Sequence, residues 1–443
     1  MPQVVVHEGE RIDLPPVVDR RHIADQLIRY SNGSKFPCFR LKKGALFAAE
    51  VVGTVQVGAL RISILPMSAE GDEEHDKAFL LNLLRAAGYL GTRPLVLAAS
   101  VRSSALDPLE AMLVEVAAEI QESLRDGLPR RYNEVEDEAQ TIRGRIDFTR
   151  LCRRLPGASA ALPIRYAPLT TANVLAQTIR WVADSLSRMA RGPEARQLLQ
   201  EVLGTLDAVT GRRPTPAEVA AIRLTRFEPR WSRTVAVAAL LAEGRFIDPT
   251  FAGRSDAFGM LFPLHHLFER AMRGVVSRAA KPLGLTVEHK SNALHMLLDS
   301  GGAGHLQVRP DFLFCRGGQR LMIGDAKWKR LSKGQRASGV DRDDVFQMNA
   351  YRTRYEVERA AIFVPKASWM PGGWRHDFTI PPGAARLSLV PVDIQSVLSR
   401  VPAKSDAALR SLRQSIGELA GLLAVVGPTQ AANLPNVACP YVP

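Results

Sequence analysis

Residues 309–329 read RPDFLFCRGGQRLMIGDAKWK, and this stretch decides how the rest of the chain is read. Asp311 follows Pro310 directly; Asp325 comes fourteen residues later, and Lys327 two residues after that. Side chains two apart on a strand project from the same face, so Asp325 and Lys327 are expected to point together. Asp311, on the neighbouring strand of a hairpin, is placed to lie opposite them. Two carboxylates beside apolar strands are costly to bury unless a cation joins them.

The flanking sequence extends the pattern. A helix is expected over 260–279, with Glu269 in PLHHLFERAM, followed by strands near 284–290, 293–298, 306–314 and 319–326. A second helix over 342–356 carries Gln347 and Tyr351 in DVFQMNAY, one turn apart and on one face. A strand at 359–365 closes the block. Two carboxylates suit a hard divalent cation with open positions for water and a phosphate. Such a cation lowers the pKa of a bound water and offsets charge developing on phosphorus. A lysine adds a second positive charge at the reacting group. The order helix-Glu, strand, strand-Asp, strand-Asp-x-Lys, helix-Gln resembles the PD-(D/E)xK nuclease core. It predicts Asp311, Asp325, Lys327, Glu269 and Gln347 as the catalytic set. Asp311, Asp325 and Glu269 are the expected ligands of Mg²⁺, with Mn²⁺ as the alternative ion.

Each residue also has a plainer reading. Asp311 after proline suits a turn, and Lys327 with Lys329 suits a solvated strand edge. Glu269 can pair with Arg270 or Arg273 along its helix, and Gln347 can be a surface amide. His265 shares a face with Glu269, but neither it nor His266 has metal-ligand spacing. Trp328 reads first as packing. Lys329, Tyr351, Arg143 and Arg145 are carried as contacts for DNA or a partner. Arg150, Arg153 and Arg154 extend a basic stripe that reads equally as a solvated face.

Upstream, alternation over 36–66 predicts a β-rich unit with strands at 46–52 and 59–65. The acidic stretch 70–76 closes it, and a helix over 77–88 follows. A helix over 105–127 carries Leu109, Met112, Leu113, Val116, Ala117 and Ile120 as one apolar stripe. A β-hairpin is expected near 131–150, then a long helix capped by Thr170 or Thr171. Its stripe is Ala172, Leu175, Ile179, Val182 and Leu186. Further helix runs to about 208, and another covers 232–243. A C-terminal helix is expected over 405–425. The expected class is therefore mixed α/β, in four parts. These are a β-rich N-terminal partner-docking region (1–104), a mostly helical middle region (105–250), the nuclease domain (251–400), and a C-terminal helix and tail (401–443).

Composition agrees with a folded chain: of 443 residues, 46% are hydrophobic and 23% charged. The net charge of +13 favours a polyanionic partner, because neutralising phosphates releases counterions. Cys38, Cys152, Cys315 and Cys439 are too scattered for a zinc knuckle. No signal peptide is expected, and the longest apolar run, 235–242, is too short to span a bilayer. A soluble, cytoplasmic protein is the expectation. Neither GxxxxGK[ST] nor GxGxxG occurs, so no nucleotide site is expected in this chain.

The nuclease block also resembles McrC, the nuclease subunit of McrBC modification-dependent restriction systems. VGALRISILPM (57–67), GRIDFTRL (144–151) and PLTTANVLAQTIR (168–180) share in the resemblance. It departs at Met67, where a lysine is expected, and at Asp325, where other members carry Glu. The resemblance implies a GTP-hydrolysing AAA+ ring, McrB, as partner. It implies that the N-terminal part of this chain docks on that ring and stimulates it. It further implies double-stranded, modified DNA as substrate, and no membrane. Two other readings stand beside it: a non-cleaving regulatory or DNA-clamp subunit, and a stand-alone repair nuclease.

Overall fold

The computed structural model describes residues 2–423 except 17, 35, 68–71, 92–107, 154–159, 243–245, 248–256, 290–293, 330, 332, 335–338, 382 and 400. Arg154, Cys439 and the start of the 70–76 acidic stretch lie outside the described residues. The chain is mixed α/β, with 43% helix and 26% strand.

Two sheets dominate. The first has five strands in the order Gln3–His7, Leu60–Leu65, Val51–Val57, Ala257–Pro263, Phe246–Ile247. All seven residues of Val51–Val57 are buried, so the strand is covered on both faces. Gly58, at φ +55°, closes its two-residue turn to Leu60–Leu65. The strand expected at 46–52 is divided: Ala45–Ala48 pairs instead with Phe39–Lys42, and the chain turns at Ala49 and Glu50.

The expected border at residue 250 cuts through this sheet. Ala257–Pro263 pairs along its whole length with Val51–Val57. The helix expected from 260 therefore begins at Leu264. Gly259 permits the approach, because a Cβ there would strike Thr54 O and Val55 Cα.

The helices Pro108–Arg125 and Val174–Met189 bury the apolar stripes expected of them, with one exception. Ala172 is exposed and precedes its helix, since Asn173 is the cap, its Oδ1 accepting from Ala176 N–H at 3.0 Å. No hairpin forms within 131–150. Val135–Ala139 and Arg145–Ile146 both pair with Leu162–Tyr166, which lies between them. That central strand supplies Arg165, which meets Glu136 on one neighbour and Asp147 just past the other, at 3.1 and 2.7 Å.

The second sheet has six strands, in the order Thr286–Glu288, Phe312–Arg316, Gln319–Ala326, Arg359–Pro365, Ala385–Val392, His376–Ile380. The run expected at 306–314 is split by Pro310, which has no N–H to donate. Gly304–Val308 instead forms a separate hairpin with Leu294–Leu298. Alternate residues divide between two cores. Phe312, Phe314, Met322 and Phe363 join the cluster containing the helix Leu264–Ala280. Leu313, Ile323, Ile362 and Val364 join the cluster of the helix Arg342–Tyr355. By this parity Asp311 and Asp325 belong to the face of the Arg342–Tyr355 helix. The C-terminal helix spans Pro402–Leu419.

Candidate active site

The hairpin register sets Phe312 opposite Gly324, which brings Asp311 alongside Asp325 at the end of the strands. Both carboxylates are nearly inaccessible, at 6% and 4% exposure. Asp311 Oδ2 accepts the Ala326 N–H at 2.9 Å. Lys327 is anchored through its backbone N–H to Phe363 O at 2.9 Å. Its ammonium lies 2.8 Å from Asp325 Oδ2 and donates to Gln347 Oε1 at 2.8 Å. Gln347 Nε2 donates in turn to the Tyr351 hydroxyl at 2.8 Å. The structure thus gathers Asp311, Asp325, Lys327, Gln347 and Tyr351 into one hydrogen-bonded group.

The electrostatics follow from burial and charge. Desolvation pushes the Asp325 carboxyl above its ordinary range. Lys327 and Asp311 oppose that rise, while the Glu269 charge adds to it. Burial works against the Lys327 ammonium, but the charges of Asp325, Asp344 and Asp311 outweigh it and hold the lysine protonated. Burial raises the Tyr351 phenol as well, so the hydroxyl that accepts from Gln347 stays neutral at physiological pH.

Glu269 lies on the helix Leu264–Ala280. It faces Arg273 one turn on, with Arg273 Nη2 to Glu269 Oε1 at 2.7 Å, and His266 Nδ1 stands 3.8 Å from Oε2. Among the described residues no three His, Cys, Asp or Glu side chains gather as a metal cluster. Glu269 acts on Asp325 through its charge, which raises the Asp325 carboxyl. The donor set still fits Mg²⁺, which is commonly held by one or two carboxylates and keeps several waters. Asp311 and Asp325 carry more negative charge than Lys327 offsets, which suits an added cation.

The remaining expectations sort by contact. Lys329 is tied to Asp341 at 2.5 Å and to Asp344, so it is committed within the protein. Trp328 packs between Phe79 and Phe268, with ring centroids at 6.4 and 5.3 Å. The described residues of the basic stripe lie in and beside the separate three-stranded sheet and are interleaved with acids. Arg145 meets Glu134 at 2.8 Å, and Arg150 meets Glu138 at 3.4 Å; Arg143 is exposed. Sequence reading missed His289 and Asp344. A single histidine after a short strand and an acid in a helix's first turn carry no spacing signal.

Comparison with protein families matches residues 46–364 to the McrBC 5-methylcytosine restriction system component. The chain belongs to the McrBC family. Among solved structures, the fold is similar to a refined half-complex from a tetradecameric assembly of Thermococcus gammatolerans McrB AAA+ hexamers with bound McrC. That match has TM-score 0.61 and 16% identity, and covers 94% of this chain and 99% of that one. A Thermococcus gammatolerans McrBC complex matches at TM-score 0.48 and 20% identity, over 62% of this chain and 88% of that one. Comparison with curated proteins gives no match. Membership makes this chain a component of a McrBC-type restriction system. Among the described residues, no helix is long and apolar enough to cross a membrane.

Proposed function

We propose that this McrBC component is the Mg²⁺-dependent endonuclease of its system, cutting DNA under the control of a GTP-hydrolysing AAA+ ring of the McrB kind. The observation that carries the reading is the joining of Asp311, Asp325, Lys327 and Gln347 at one strand end, on two buried carboxylates. Asp311 and Asp325 would hold Mg²⁺, which when bound supplies an acidified water and a counter-charge for the phosphate.

The protein's own groups do the rest. Asp325 and Gln347 fix the Lys327 ammonium between them. Its charge then serves a non-bridging phosphate oxygen, or a water lined up for attack, without reorganising during reaction. Tyr351 fixes the Gln347 amide so that its oxygen faces the lysine. The partner ring is inferred from family membership and from the McrB hexamers that accompany McrC in the related assembly.

The test is cleavage of methylated duplex DNA by the full chain with its partner, GTP and Mg²⁺. Asp325→Ala and Lys327→Ala are expected to abolish cutting while partner GTPase stimulation persists. Normal cutting by either variant refutes the site. Efficient cutting by the wild-type chain alone would assign it instead to a stand-alone nuclease.

A further inference from the structure

Asp311 is held at both ends. Its carboxylate accepts the Ala326 N–H, and on the other side its backbone carbonyl oxygen lies 3.3 Å from His289 Nδ1. His289 Nε2 lies 3.0 Å from the hydroxyl of Ser277. The ring stands edge-on to Phe312, with centroids 5.7 Å apart and planes at 80°. Ser277 lies on the same helix as Glu269 and Arg273, at intervals of four, so all three occupy one helical face.

The tautomer follows from the partners. A carbonyl oxygen can only accept, so Nδ1 must carry the hydrogen. Nε2 is then bare and accepts from the Ser277 hydroxyl, which has a proton to give. The imidazole is a directional strut from the Glu269–Arg273–Ser277 face to the backbone of a buried carboxylate.

We propose that His289 is a positioning residue for the site, setting the backbone of Asp311 so that its carboxylate and that of Asp325 converge on one divalent cation. The inference rests on the nuclease reading above. Groups that hold a metal ligand from behind typically change metal affinity by about 10–100-fold when removed.

Two near-isosteres separate this role from packing. Asn at 289 puts its amide nitrogen where Nδ1 stands and keeps the bond to Asp311. Gln puts its amide nitrogen near Nε2 and keeps only the Ser277 side. The experiment is calorimetric titration of the full chain with Mn²⁺, read beside thermal melting, for wild type, His289→Asn, His289→Gln and Asp311→Ala. The expected result is about 10-fold weaker Mn²⁺ binding by His289→Gln, near-wild-type binding by His289→Asn, and similar melting for both. Equal binding by the Asn and Gln variants, whether at the wild-type level or equally weakened, overturns the positioning role. Wild-type binding that Asp311→Ala leaves unchanged overturns the nuclease reading itself, and the proposal with it.

Discussion

The two sheets handle buried polarity in opposite ways. Inside the first, the buried polar side chains are neutral: Thr54, Gln56 and Ser63. Where an acid approaches it, donors meet the charge. Glu110 receives Arg61 Nη2 at 3.2 Å and the backbone N–H groups of Arg191 and Gly192 at 2.8 and 3.0 Å. The second sheet ends in Asp311 and Asp325, side by side, with Glu269 adding a third negative charge. A fold that compensates Glu110 so fully can satisfy acids when only stability is at stake. The surplus at the end of the second sheet is the kind of perturbed, buried charge on which the proposed nuclease site rests.

That contrast can be broken by substitution. Asp311→Asn keeps an acceptor for Ala326 N–H but removes the charge. Its expected effect is a loss of cleavage on the order of 10³-fold, several kcal/mol of charge stabilisation, with melting little changed. Cleavage assays beside calorimetry check both halves. Glu110→Ala should do the reverse. Removing one partner of a buried ion pair costs about 3 kcal/mol, read by urea unfolding, while the folded fraction keeps its cutting rate.

Gly324→Ala sharpens the comparison within the second sheet. A Cβ there would stand 2.7 Å from Phe363 Cε2 and 3.2 Å from atoms of both Phe312 and Phe314. Overpacking of that kind costs about 2 kcal/mol, and here it should also lower cleavage by displacing Asp325. Unchanged stability would show that the three rings can give way.

The smallest effect belongs to His7, whose Nε2 lies 2.7 Å from the buried Asp76 and whose Nδ1 lies 3.2 Å from Glu10. Burial lowers its pKa, but Asp76 and Glu10 outweigh that and raise it above 6.5. The folded state thus holds the proton more tightly than the unfolded state. Its contribution is complete below pH 6.5 and is lost as pH rises through the folded value. The expected change is under about 1 kcal/mol. His7→Gln should flatten the pH dependence of melting in that window, and an unaltered slope would remove His7 from the account.

Legibility in the sequence followed locality. Asp325, Lys327, Gln347 and Tyr351 were readable because strand parity and helical spacing place them without long-range information. Glu269 was placed on its helix correctly, but its turn toward Arg273 is a choice between two neighbours that periodicity does not make. Residues 260–263 read as the start of a helix because a short apolar run suits either state. Only its partner, Val51–Val57, decides between them. The acidic strand Val135–Ala139 reads as half of a local hairpin for the same reason: the strand it pairs with, Leu162–Tyr166, lies beyond residue 150.

The pairing of Ala257 with Val57 also sets an order on synthesis. Val51–Val57 leaves the ribosome long before its neighbour does. Until residue 263 has emerged, that apolar strand has one open edge and the first sheet is unfinished. Such an edge is a template for wrong partners, and the long loop that must close slows its completion. The part of the chain made first is therefore among the last to be sealed, and its edge stays open to wrong pairing through that interval.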